Sequence, residues 1–152
     1  MNRALLLLTS KALLLAGCAP APSTPAAKVD PTAEAWYGPA TERLTSLDRT
    51  AEQLFQTGRT QEAASLVTSG QSLQSRLLSA PHPTLEAMEA IADLDQLYGR
   101  LLTNNGYWGQ ARLLFQKNVT RWKTWKPQTP ETDQRLKQAS DAIAECDRHM
   151  GA

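Results

Sequence analysis

Gly99-Arg100-Leu101-Leu102-Thr103-Asn104-Asn105-Gly106-Tyr107-Trp108-Gly109-Gln110-Ala111-Arg112-Leu113-Leu114-Phe115 is the stretch on which the fold turns. Before it, Leu85, Met88, Ile91, Ala92, Tyr98, Leu101 and Leu102 recur at helical spacing, and Asn104-Asn105-Gly106 stops them. After it, Trp108, Ala111, Phe115, Val119 and Trp122 start a new stripe. Two helices joined through two or three residues must fold back on one another, so the stretch predicts an antiparallel helical hairpin.

Working outward, the pattern repeats. Leu44, Leu47, Ala51, Leu54 and Phe55 form a stripe that ends at Gly58, and Ala63, Leu66, Val67, Gly70, Leu73, Leu77 and Leu78 follow. Ala80-Pro81-His82-Pro83 separates this first hairpin from the second. Lys126-Pro127-Gln128-Thr129-Pro130 closes the second, and Leu136, Ala139, Ile143, Cys146 and Met150 make a fifth stripe. Thr129 is placed as its N-cap, with Pro130 at the first helical position and Glu131 beside the positive helix end. No run of alternating β-branched residues is long enough for a strand. The expectation is an all-α domain of five helices, each of about 17–21 residues.

The two hairpins correspond at an offset of 48 residues: Ala51 with Gly99, Gly58 with Gly106, Thr60 with Trp108, Ala63 with Ala111, and Val67 with Phe115. This spacing of small and large residues resembles a tetratricopeptide repeat, the second hairpin more closely than the first. The family's period is about 34 residues. The resemblance implies stacked hairpins in which small residues let paired helices approach and aromatics fill the space between hairpins. The fifth helix would cap the open end. A plain five-helix bundle, with small residues at the crossings, is the alternative.

At the N-terminus, Leu14-Leu15-Ala16-Gly17-Cys18 follows Arg3 and two leucine runs. The arrangement resembles a bacterial lipoprotein signal peptide. That resemblance implies removal of residues 1–17 and lipidation of Cys18, with palmitate among the acyl chains. Ala19 in the next position implies the periplasmic face of the outer membrane. Residues 18–36 begin Ala19-Pro20-Ala21-Pro22-Ser23-Thr24-Pro25 and read as an extended, semi-stiff tether. Residues 37–152 are then the helical domain, a size that supports one modest core.

The chain has 152 residues and a formal net charge of +1, unevenly spread. Residues 104–130 hold Arg112, Lys117, Arg121, Lys123 and Lys126 and no acid. Within Arg121-Trp122-Lys123-Thr124-Trp125-Lys126-Pro127, Trp122 continues the fourth stripe but Trp125 does not. An aromatic among cations at a helix end can seat in an interface, stack on a sugar, lie at lipid headgroups, or fold back over the core. The near-neutral chain argues against nucleic acid. Cys146 and His149 are one turn apart, but Cys146 lies on the apolar stripe, where a thiol behaves as a small hydrophobe. With Cys18 committed to lipid and only His82 besides His149, no metal ligand set assembles. Glu86, Glu89 and Asp93 share one helical face and read as a solvated acidic surface.

These observations lead to the expectation of a non-enzymatic protein without cofactor or metal: a membrane-anchored periplasmic adaptor that holds a protein partner in envelope assembly or secretion. Trp125 would be its anchor, and Arg121, Lys123 and Lys126 its rim charges. The alternative is direct binding of cell-wall glycan or lipid headgroups by the same patch.

Overall fold

The computed structural model describes residues 30–151. The leader, Cys18 and the tether up to residue 29 lie outside the described residues. A short 310 turn at Pro31–Ala33 is followed by five helices: α1 (Tyr37–Gln56), α2 (Thr60–Leu77), α3 (Leu85–Asn104), α4 (Trp108–Thr124) and α5 (Pro130–Met150). Helix lengths run from 17 residues in α4 to 21 in α5, and no strand occurs among the described residues. The five-helix, all-α architecture expected from the apolar periodicity is the one observed.

Both hairpin turns are built the same way. Gly58 and Gly106 have φ of 80° and 79°, a conformation that only glycine adopts without strain. In each turn the glycine N–H bonds back to Phe55 O or Thr103 O. The next residue's N–H reaches Leu54 O at 2.8 Å or Leu102 O at 2.9 Å. This paired closure satisfies the last carbonyls of α1 and α3 and reverses the chain in three residues. α5 starts on a reciprocal capping box, with Thr129 Oγ1 accepting from Thr132 N–H and Thr132 Oγ1 accepting from Thr129 N–H.

The helices pair as α1 with α2, α3 with α4, and α4 with α5, while α3 also packs on both α1 and α2. Leu44, Val67, Leu77, Ile91, Leu94 and Leu97 fill the space among α1, α2 and α3. A smaller cluster of Ala111, Phe115 and Cys146, flanked by Leu102, Trp108 and Ile143, joins α4 to α5. Three residues assigned to apolar stripes stay outside: Leu78 is 46% exposed, Leu85 36% and Met150 44%. Each lies at or just past a helix end, where the stripe runs on after its neighbour stops.

Residues 30–36, placed in the tether by their composition, are structured. Asp30 caps the 310 turn. The Arg76 guanidinium lies 3.9 Å over the Trp36 ring, and the Thr84 N–H donates to the Tyr37 hydroxyl at 3.3 Å. The aromatic pair fastens the chain's entry to the last turn of α2 and to the Ser79–Thr84 turn that follows it.

Candidate functional site

α4 ends because Lys126 precedes Pro127, which biases the chain away from helix. Trp125 is the C-cap, with extended backbone and its N–H bonded to Arg121 O at 3.0 Å. The Gln128 amide then donates to Trp122 O at 2.9 Å and Trp125 O at 2.6 Å. This bracket holds the Trp125 ring edge-on to the buried Trp122, with centroids 6.5 Å apart at 68°. Trp125 therefore folds back over the core on one side and stays half-exposed on the other.

Its open side faces a groove of about 780 Å³ between α4 and the Pro81–Pro83 turn. Leu113, Lys117, Thr120 and Thr124 present one face of α4 to it, Met88 comes from α3, and Trp125 and Lys126 close one end. Leu113 is 63% exposed. Among the described residues, no carboxylate lines the groove.

The five bases of residues 104–130 divide sharply. Arg112 pairs with Asp147 of α5 at 2.6 Å. Arg121, expected as a rim charge, borders the groove but spends its guanidinium inward. It donates to Asp95 at 3.0 Å, with only 11% and 7% of the two side chains exposed, and it also bonds the buried Asn118. Its charge is neutralised inside the fold. Lys123 is exposed but does not line the groove. Lys117, Lys123 and Lys126 have no ion-pair partner among the described residues, and Lys117 and Lys126 carry the groove's free positive charge. Sequence reasoning thus named Trp125 and Lys126 but missed Leu113, Lys117 and the prolyl wall. The available signal was Leu113, an apolar residue out of phase with its own helix.

A second groove of about 480 Å³ runs between α1 and α3, with Arg135 of α5 reaching into it. Glu89 and Asp93 are not the freely solvated face expected of them. Arg135 contacts Glu89 at 3.6 Å and also pairs with Asp93. Asp48, missed from the sequence, is the perturbed group here. Burial pushes its carboxyl up to about 7, and the neighbouring acids Asp93 and Glu52 add to the rise.

Cys146 and His149 have structural roles. Cys146 is buried, and burial raises its thiol further, which opposes the thiolate a nucleophile needs. His149 stacks on Trp108 at 3.8 Å and meets Glu145 at 2.8 Å. Comparison with protein-family models, curated proteins and solved structures finds no match to this chain.

Proposed function

We propose that this chain is a lipid-anchored adaptor of the bacterial envelope, attached through Cys18 and holding a protein partner in the groove beside α4. The observation that carries the binding half of the reading is the groove itself. Among the described residues, it combines exposed apolar side chains, a half-buried tryptophan and two unpaired lysines, with no carboxylate to oppose them. Central aromatic and aliphatic anchors with a charged rim are what protein interfaces use. The anchoring half rests on the Leu14–Cys18 sequence, and Ala19 supports the outer membrane. No described helix is long and apolar enough to cross a membrane. The tetratricopeptide-like reading is supported by two hairpins with matching turns and by α3 packing on both earlier helices. The burial of Cys146 and the pairing of Glu89 and Asp93 with Arg135 support a non-enzymatic reading.

A second reading, binding of wall glycan or lipid headgroups, draws on the exposed side of Trp125 beside Lys126. In-cell photo-crosslinking separates the two, with the photoreactive residue at position 113 or 125 of the full chain. A discrete protein adduct, identified by mass spectrometry, is the expected result. Adducts that fractionate only with wall or lipid would replace the adaptor reading with the second one.

A further inference from the structure

We infer that the groove beside α4 takes an acidic amphipathic segment of its partner, an apolar anchor flanked by carboxylates; this rests on the adaptor reading above. The charge balance inside the groove carries the inference. Among the described residues, its lining holds Lys117, Lys126, Arg121 and His82 and neither Asp nor Glu, although the whole chain is nearly neutral. Arg121 is committed to Asp95 and Asn118, which leaves two lysines as the unpaired basic side chains of always-positive charge among the described residues of the lining. Lys117 lies within α4 and Lys126 two residues past its end at Thr124, and the helical run from Lys117 to Thr124 alone separates them by about 10 Å at 1.5 Å per residue. Between them the surface is neutral. The Thr120 and Thr124 hydroxyls donate to their own helix, at 3.0 Å to Gln116 O and 3.0 Å to Thr120 O.

The apolar contacts sit just beyond and beside the cations: Leu113 one turn before Lys117, and Trp125 next to Lys126. A ligand that uses the whole groove must bury apolar surface and present negative charge at two separated points. A basic segment would meet like charge at both lysines. A membrane surface is a poorer match, because headgroup-binding clusters carry about four to eight basic residues. Polyanionic nucleic acid is disfavoured for the same reason.

A random peptide library displayed on phage and selected on the immobilised full chain tests this. Enriched peptides are then titrated against the parent, Lys117→Glu/Lys126→Glu and Leu113→Ser. All three positions are exposed, so the fold should tolerate the changes. The expected consensus is one or two large apolar residues flanked by Asp or Glu. Affinity should fall at least about tenfold in the double charge variant and recover when the peptide's acids are changed to lysine. Enriched peptides that are neutral or basic yet lost in Leu113→Ser would overturn the acidic assignment and leave segment binding intact. Absence of any peptide sensitive to these variants, with lysine-dependent retention on purified sacculi or phosphatidylglycerol vesicles, would overturn both. Absence of all three would sink the groove as a binding site.

Discussion

Gly99 and Phe115 show how one pair of residues sets a helix crossing. A Cβ built on Gly99 would lie 2.3 Å from Phe115 Cε1 and 2.5 Å from Cζ, so the ring occupies the space that any side chain would need. At the matching positions of the first hairpin the pair is Ala51 and Val67, both fully buried: a larger small residue beside a smaller large one. Gly99→Ala should therefore destabilise by about 1–3 kcal/mol through overpacking, although alanine is the better helix former by about 1 kcal/mol. Phe115→Val alone should also destabilise, by opening a cavity. Together they rebuild the first hairpin's combination, so their joint cost should be well below the sum of the two. A urea-unfolding double-mutant cycle reads this directly, and strict additivity would refute it. Asp48 makes a residue-scale prediction of a different kind. Its folded-state carboxyl titrates near 7, above the ordinary value of 3.8, because burial disfavours the charge. Asp93 and Glu52 oppose ionisation, while Arg100 and Arg135 favour it. A raised folded value means that the protonated form is held by the fold. The associated stability is fully present below the ordinary value of 3.8 and is lost progressively as pH rises to about 7. Asp48→Asn, which cannot ionise, should melt higher than the parent above pH about 8, and that advantage should disappear near pH about 3, below the ordinary value of 3.8. Equal melting differences at both pH values would exclude this role for Asp48.

At the scale of elements, α2, α3 and α4 are locked by a buried polar cluster rather than by apolar packing alone. Asp95 of α3 accepts from Gln74 of α2 at 2.8 Å and from Arg121 of α4 at 3.0 Å. Asn118 of α4 donates to Ala92 O at 2.9 Å. Removing one member leaves the others buried and unpaired. Asp95→Ala should thus cost about 3–5 kcal/mol. Breaking the exposed Lys137–Asp141 pair of α5 should cost under about 1 kcal/mol. Comparative chemical denaturation checks the contrast, and similar small losses for both would show that the cluster contributes little. The same cluster explains what the sequence made legible in the candidate site and what it hid. Trp125 stood out because it breaks the fourth stripe, and Lys126 because it adjoins a helix-ending proline. Arg121 looked equivalent to its neighbours, since nothing within α4 reveals that a carboxylate 26 positions earlier awaits it. Asp95 itself lies two positions beyond Asp93, off the face that Glu86, Glu89 and Asp93 share. Pairing across helices depends on crossing geometry, which one-dimensional periodicity does not encode.

For the molecule as a whole, hairpins were readable because a glycine two or three residues from the next helix leaves the chain one way to go. How the hairpins lie on each other was less readable. α3 touches α1, α2 and α4, so it buries more than one stripe, and Leu94, Leu97 and Asp95 fall outside the single row its periodicity suggested. The same asymmetry of contacts divides stability unevenly along the chain. The α1–α3 core holds six large aliphatic side chains at near-zero exposure, whereas the α4–α5 cluster has Ala111, Phe115 and Cys146 as its buried members, with partly buried Leu102, Trp108, Ala142 and Ile143 against them. α5 meets the remainder mainly through α4, with Arg135 adding ion pairs to α3 that solvent partly screens. A terminal helix with a small apolar footprint should open before the core does. Native-state hydrogen exchange should therefore show α5 amides exchanging through a sub-global opening of lower free energy and weaker urea dependence, while the central amides of α3 exchange only on global unfolding. The exchange of α4 should fall between, because Asn118 and Arg121 tie it to the core even when α5 is released. If α5 and α3 amides share one opening free energy and one urea slope, the five helices form a single cooperative unit. The two hydrophobic clusters would then have to be coupled through the Asp95 layer more strongly than their separate areas suggest.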